Sequence, residues 1–454
     1  RGLRHLGFVL HPLARRPDTW VCDFHVHGLA SPDSALPPAI RLRAYRAAGM
    51  DLLVAADHNR IADYRPFQAK DSPLLAVPGI EAGLQAGGPA GPRSIGHWTL
   101  WPLAGAGAEA DVNGKRLVVK SVPPVLNGEA YQVYGRFQTD PEVARRLEES
   151  GETDLEPIIQ LNHPRGVEPP LTGRVQRDKA YFQALGLDPD RPMPDRDDGG
   201  PNSFLRRTSP DGRFSNGSFD AIELYNRASL PLYLEVRRDY FALLRAGMAA
   251  ASVGNTDSHS LAAMPGGAPV NLVRLPPAPP GSRQDRAGRL AALMIAVRAG
   301  HLITTTGPDL HLTVSAGGST GGPGDLIRTA DGRATARLEI TAPDWIPVEE
   351  VRWYLDGKLQ AVDGVDSPVH RGEGLPPDYA TGILRRWSLT RRFHLEEDGF
   401  LFVEAGEKLP EDPRRRPPSS GIYGKVIPRQ WSLAFANPIR IDVGEPGWKP
   451  AAGR

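Results

Sequence analysis

The sequence predicts an α/β chain: a seven-stranded βα barrel over residues 20–308, then a β-rich, sandwich-like domain over residues 309–454, with residues 1–19 as an N-terminal extension. Three observations predict it. Seven short apolar runs recur before about residue 260. Helix-patterned segments separate some of them. After Gly307-Pro308 the pattern changes to alternating, β-rich runs divided by Gly, Pro and Asp. The 454 residues suit two such domains, since a βα barrel alone uses about 250 residues.

The seven runs are 20–24, 51–56, 74–80, 97–103, 157–161, 219–224 and 248–253. Continuous rather than alternating, they suit strands buried on both faces. Residues 38–49 and 233–247 carry apolar residues at helical spacing and end at Gly49 and Gly247, glycine being a helix stop. Strands separated by helices point to parallel βα units. Two connections, 104–156 and 165–218, have the length of lids or binding loops. In the second domain the runs are 310–314, 336–340, 348–354, 399–405 and 439–443, and the Pro/Arg-rich segment 410–420 reads as an exposed loop.

Composition narrows the function. With 54 basic and 53 acidic residues the net charge is +1, so no broad positive field exists to attract nucleic acid. The 49 Gly and 45 Pro residues predict many turns. Cys22 is the single cysteine, which excludes an intramolecular disulfide, and it reads as a small core residue. No run of 18 apolar residues is present, so no membrane span is expected. The chain begins at Arg1 rather than Met, as a processed form or fragment does; export is compatible with that start, and the oligomeric state is not readable.

Imidazoles and carboxylates are concentrated where the strands end. The first run ends Asp23-Phe24-His25-Val26-His27, the second Asp57-His58-Asn59, the third in Glu81. The fourth starts Gly96-His97-Trp98, the fifth ends Asn162-His163-Pro164, and the seventh leads into Asn255-Thr256-Asp257-Ser258-His259. In a βα barrel the C-terminal strand ends converge on one face. Alternate residues of a strand share a side, so His25 and His27 can address one site. Imidazole with carboxylate suits Zn, Mn or Fe, and a carboxylate such as Glu81 can bridge two cations. Each motif alone has a bland structural reading; the combination points to a metal centre.

These residues resemble the PHP (polymerase and histidinol phosphatase) superfamily of metal-dependent hydrolases, a distorted seven-stranded βα barrel binding up to three metals. Within it the sequence is most similar to the CehA/McbA-like branch, which includes carbaryl-hydrolysing enzymes. The matching segments are DFHVHGLASPDS, GMDLLVAADHN, the Glu81 strand end followed by GHWTLWPL, LNHPR, FDAIELYN and GNTDSH, with AGHLITTTGPDL and FANPIRIDV further on. The resemblance implies two or three divalent metal ions. His25, His27, Glu81 and Asp257 would hold the first; Glu81, His97 and His163 the second; His58, His259 and a residue of the loop after His27 the third. Many relatives have a histidine at that loop position; here it is Asp33.

Around the cluster, Arg165 can grip a phosphate or carboxylate or be a plain ion-paired arginine; with Asp257 it is taken as catalytic. Arg60 carries the same two readings. Asp23 and Asp57 are expected to hydrogen-bond ligand ring N–H groups, Asp57 alternatively to ligate directly. Tyr225 and Asn226 line the pocket or pack; Trp98 and Trp101 belong to the barrel core or wall. His5, His11, His301, His311, His370 and His394 read as ordinary structural or surface histidines. The expected activity is hydrolysis of a small-molecule ester by a metal-bridging hydroxide, a phosphoester first and a carbamate, carboxylic ester or amide second. A non-catalytic, metal-containing binding protein is the reading from another class.

Overall fold

The computed structural model describes residues 18–69, 72–87, 93–105, 108–112, 114–166, 180–227, 229–248, 250–261, 268–275, 285–365, 370–371, 384–412, 421–427, 430–444 and 447–449. The predicted extension, apart from its last two residues, lies outside them, as do His5, His11 and residues 413–420. In chain order the first part runs β1 (Thr19–Val26), α1 (Pro38–Ala47), β2 (Leu52–Ala55), β3 (Arg60–Asp63), β4 (Leu75–Pro78), β5 (Ile80–Ala86), β6 (Arg93–Trp101), β7 (Ala108–Val112), β8 (Lys115–Ser121), β9 (Val125–Leu126), α2 (Ala130–Tyr134), α3 (Pro141–Glu149), β10 (Ile158–Asn162), α4 (Tyr181–Leu185), β11 (Ala221–Asn226), α5 (Leu230–Arg245), β12 (Ala251–Asn255), β13 (Val270–Arg274), α6 (Arg286–Ala299) and β14 (Leu302–Thr305). Each of the seven apolar runs falls on a strand. The run 74–80 covers two, because the chain turns at Gly79 from β4 into β5. A side chain there would meet Val54 Cγ1 at 2.7 Å and the Leu100 carbonyl at 3.0 Å, so glycine lets the strands cross closely.

The second part runs β15 (Asp309–Ala316), β16 (Ser319–Gly321), β17 (Leu326–Thr329), β18 (Arg333–Pro343), β19 (Glu350–Leu355), β20 (Lys358–Gly364), β21 (His370–Arg371), β22 (Leu384–His394), β23 (Gly399–Gly406), α7 (Gly421–Val426) and β24 (Leu433–Val443). Its β15 and β18 alternate buried and accessible residues, the pattern of a sheet with one solvated face.

The fold is a strand-rich α/β arrangement, and the expected distorted seven-stranded βα barrel is not seen as such: the sheets are not closed. Of the four sheets, two are β16-β15-β18-β22-β21 and β3-β8-β7. The strands of the seven apolar runs divide between the other two. One is ten-stranded, in the order β20-β19-β23-β24-β14-β13-β1-β2-β4 with β17 beside β24; the other is six-stranded, β12-β11-β10-β6-β5-β9. Parallel pairing holds for β1-β2-β4 and for β10-β11-β12. The pairs β5-β6 and β6-β10 are antiparallel, and β13 and β14 extend the other edge of β1 antiparallel. The two sheets meet at isolated bridges, Val26 with Ser258 and His58 with Glu81. A run buried on both faces looks the same in either ladder, so apolar pattern alone does not encode strand direction.

The ten-stranded sheet passes straight through residue 308: β14 pairs with β24, Ile303 opposite Ala436. Side chains of α5 pack on the second part, with ring centroids of Tyr233 and Phe435 5.4 Å apart and of Phe241 and Phe402 5.1 Å apart. Asn437 of β24 accepts from the Ser252 N–H at 2.7 Å and donates to the Ser252 carbonyl at 2.8 Å, which ties it to β12. Connection 104–156 is not a bare loop: β7 and β8 form a hairpin that joins β3 in a three-stranded sheet, and α2 and α3 follow. Among the described residues no helix is long and apolar enough to cross a membrane.

Candidate metal centre

The strands and the loops after them place their polar residues in one cluster. His25 and His27 sit at the end of β1, His58 follows β2, His97 lies in β6, His163 follows β10, and Asp257 and His259 follow β12. Glu81 is the second residue of β5, not the end of a strand, because the third run continues past it. All nine sequence-predicted ligands come together, in four overlapping groups: His27, Asp33, His58 and His259; His25, His27 and Glu81; His25, His163 and Asp257; His58, Glu81 and His97. Within each group the ligand atoms lie within 4.8 Å of one another. His97 therefore groups with His58 as well as facing His163, so the three expected ligand sets share members rather than standing apart.

Glu81 is the hub. Its Oε1 lies 3.2 Å from His25 Nε2, 3.2 Å from His163 Nε2 and 3.3 Å from His97 Nδ1; its Oε2 lies 2.6 Å from His58 Nδ1 and 3.6 Å from His27 Nε2. Asn162 Nδ2 donates to Oε1 at 2.9 Å. Asp257 Oδ1 lies 3.1 Å from His27 Nε2 and 3.5 Å from His25 Nε2. Asp33, about half exposed, reaches His259 Nε2 at 3.0 Å and His58 Nε2 at 3.3 Å from the solvent side. Burial pushes the Glu81 and Asp257 carboxyls up, but the surrounding imidazoles, with Arg227 at Asp257, overcome it and hold both well below the usual carboxylate range.

These residues fit cations. Glu223 Oε1 accepts from His25 Nδ1 at 3.1 Å; a carboxylate only accepts, so the proton sits on Nδ1 and Nε2 presents a lone pair. That lone pair faces His27 Nε2 at 3.1 Å, while His27 Nδ1 is 3.3 Å from Ser31 Oγ. Two imidazole nitrogens pointed at each other need a cation or a proton between them. With protons alone, burial holds His27 down to about 3, and Glu81, Asp257 and Glu223 outweigh burial to raise His25 well above its usual value. The buried Glu81 Oε2 and His97 Nδ1 atoms lie 2.6 Å and 3.3 Å from other ligand atoms, His58 Nδ1 and Glu81 Oε1, yet neither makes a hydrogen bond of ordinary geometry, an arrangement that suits atoms sharing an ion.

The supports differ from those expected. Asp23 and Asp57 touch no ligand ring. Asp23 accepts from Tyr45 at 2.9 Å, Thr256 Oγ1 at 2.6 Å and the His25 N–H at 3.2 Å. Asp57 accepts from Tyr64 at 2.6 Å and the Gly28 N–H at 2.9 Å. Both fix backbone instead, because the rings they were expected to hold turn inward to the cluster. Burial raises Asp23 to about 6. The ring supports are Glu223, Ser31 and, for His97 Nε2 at 3.0 Å, Ser94. Arg41, fully buried, clamps two ligand-bearing ends: it donates to the His27 carbonyl at 2.6 Å and to Ser258 Oγ and carbonyl at 2.7 Å.

Arg165 sits two residues past His163, but its fork donates to both oxygens of Asp239 at 2.7 Å and to the Leu187 carbonyl at 2.8 Å. Arg60 bonds the Ala30 carbonyl. Trp98 and Trp101 are fully buried core, and Cys22 is likewise buried. Tyr225 is buried; Asn226 donates to Glu223 at 2.9 Å and approaches Asp257 at 3.4 Å.

Sequence reading missed Glu223, Asn162 and Arg227. Glu223 did carry a signal: an acid between Ile222 and Leu224 inside the apolar run 219–224 cannot be buried without partners. Four left-handed, non-glycine residues lie at these same strand ends: Asn59 (φ 51°), His163 (φ 26°), Arg227 (φ 53°) and Asp257 (φ 46°). Such backbone strain concentrates where geometry is imposed by function.

No family model matches the chain, and no curated protein matches it. Among solved structures it is similar to a two-domain protein from Bacteroides vulgatus containing a predicted PHP-like metal-dependent phosphoesterase: 14% identity over 88% of this chain and 95% of that one, TM-score 0.33. A CARDB domain from Pyrococcus furiosus, solved in complex with di-metal ions, matches at 15% identity over 30% of this chain and 94% of its own, TM-score 0.16. Likenesses this slight carry no argument; the centre rests on its own geometry.

Proposed function

We propose that the chain is a metal-dependent hydrolase of the PHP type that cleaves a small-molecule ester, with two or three divalent ions held by His25, His27, Asp33, His58, Glu81, His97, His163, Asp257 and His259. One observation carries this reading: six strands, β1, β2, β5, β6, β10 and β12, and the loops that follow them bring nine ligand-type side chains to a common point, where the His25 and His27 ring nitrogens face one another. Bound there, divalent cations acidify water and polarise an ester oxygen. The chain's own residues do the orienting. Glu81 addresses both sides of the cluster with its two oxygens, the position of a bridging ligand. Glu223 fixes the tautomer of His25. Asp257 turns Oδ1 to the histidines and Oδ2 to Arg227, 2.8 Å from its Nε.

A phosphoester is the proposed substrate class, and a carbamate, carboxylic ester or amide is the second reading. Arg165 does not separate them, because Asp239 engages its fork. The test is metal analysis of purified protein beside turnover of phosphomonoesters, phosphodiesters, carboxylic esters and carbamates. Stoichiometric metal with phosphoester turnover supports the proposal. Carbamate turnover alone favours the second reading, and stoichiometric metal with no turnover at all makes the protein a metal-containing binding protein.

A further inference from the structure

Three arginines border the cluster near the protein surface, and they differ in what their donors already do. Asp239 holds Arg165, and the Ala30 carbonyl takes Arg60. Arg227 is bound through Nε alone, to Asp257 Oδ2 at 2.8 Å. Its Nη2 lies 3.4 Å from His259 Nδ1, but that nitrogen is also 2.9 Å from the Asp257 carbonyl. A carbonyl only accepts, so His259 Nδ1 carries the proton and cannot accept from arginine. Among the described residues both Nη groups of Arg227 therefore lack an acceptor. The side chain is 50% exposed while that of Asp257 is 6% exposed, so the guanidinium lies at the mouth, beside His259 and Asp257.

The backbone under it is held. Arg227 is left-handed, with φ 53°. Its N–H donates to the Asn255 carbonyl at 3.2 Å, and its carbonyl accepts from Gln430 Nε2, a buried side chain of the second part, at 2.8 Å. A strained, anchored arginine with two open amino groups is a preorganised receptor for an oxyanion.

We infer that Arg227 recognises the negative group of the substrate, its Nη amino groups binding oxyanion oxygens at the mouth while its Nε keeps Asp257 turned inward. Resting on the hydrolase reading, this narrows the substrate class to anionic esters and gives the second part of the chain, through Gln430, a share in the site.

The test compares wild type, Arg227→Lys and Arg227→Met, each loaded with the metal found by analysis. Calorimetric titration with inorganic phosphate measures anion binding whether or not a substrate is known; KM and kcat are read for any phosphoester that turns over. Arg227→Met is expected to weaken phosphate binding about tenfold or more, the scale of charge-assisted hydrogen bonds, with metal content intact and the loss falling mainly in KM; Arg227→Lys should fall between. Phosphate affinity within twofold of wild type in the Met variant overturns the inference. So does loss of metal in that variant, since Arg227 would then serve Asp257 alone. If wild type cleaves no ester, the hydrolase reading fails by itself, and the titration still decides whether Arg227 binds anions.

Discussion

Two buried clusters of charge follow opposite rules. In one, Glu404 of β23 accepts from Arg237 at 2.7 and 2.8 Å, from Arg352 Nε at 2.8 Å and from the hydroxyls of Tyr233 and Tyr354. Arg352 also meets Glu350 at 2.5 Å. Two carboxylates face two guanidiniums, so charge balances within the protein. In the other, Glu81, Asp257 and Asp33 stand among six imidazoles whose nitrogens converge, and Glu81 Oε2, 2.6 Å from His58 Nδ1, makes no hydrogen bond of ordinary geometry. Balance marks a structural joint, here between α5 and the second part of the chain. Convergence of acceptors without enough donors marks a place built for something positive.

The largest expected effect tests that contrast directly. Glu81→Gln removes the shared acceptor charge. It should lower metal content and cut turnover at least about a thousandfold, since metal-borne charge stabilisation is worth several kcal/mol; elemental analysis and kinetics check both. Glu404→Gln should do the reverse: metal content stays, while two guanidiniums are left facing one carboxylate at a cost of about 3–5 kcal/mol in unfolding free energy, read by denaturant titration. Metal lost on Glu404→Gln and kept on Glu81→Gln would erase the distinction.

Acid sharpens it next. Burial pushes Glu404 up, but Arg237 and Arg352 prevail and hold it down to about 2, against an ordinary 4.5. A carboxyl depressed on folding stabilises above its unfolded value and loses that contribution as pH falls. Wild-type stability should therefore decline between about pH 4.5 and 2, by a few kcal/mol from this group. Glu404→Gln should flatten that limb. An equally steep acid limb in the variant would assign the loss to other carboxyls.

The two clusters were unequally legible in the sequence. The metal centre was nearly open to view, because histidines and acids placed next to apolar runs have few structural uses, and strand ends gather them whatever the sheet topology. Its supports were hidden. Asp23 and Asp57 adjoin the ligands in sequence, yet turn to Tyr45, Thr256 and Tyr64. Glu223 is far from His25 along the chain and meets it only through the fold. Sheet membership was equally hidden: nothing in residues 303–308 announces that β14 pairs with β24, because register across 130 residues of chain leaves no local periodicity. The β7-β8 hairpin escaped for the opposite reason, lying in connection 104–156, read for its length rather than its pattern. The Glu404 joint was invisible, since its partners come from α5, β19 and β23 and no one segment carries an excess of charge.

The smallest predicted effect probes a support rather than a ligand. Glu223 accepts four donors: His25 Nδ1 and Asn255 Nδ2 at Oε1, 3.1 and 3.0 Å away, and the His163 N–H and Asn226 Nδ2 at Oε2, both 2.9 Å away. Every neighbour donates, so only a carboxylate satisfies the position. In Glu223→Gln the new amide must oppose one pair of donors. Facing Asn226 and the His163 backbone, it displaces His163. Facing His25, it demands that Nδ1 accept, which moves the ring proton to Nε2 and blocks the lone pair aimed at the cluster. Either orientation should weaken metal binding or turnover by about 10–100-fold, the usual scale for residues that orient ligands, with little change in unfolding free energy beyond loss of metal. Nitrogen chemical shifts of the His25 ring in metal-free protein separate the two orientations. Unaltered metal affinity with an unaltered His25 tautomer would mean that Glu223 is a satisfied core acid, closer in kind to Glu404 than to Glu81.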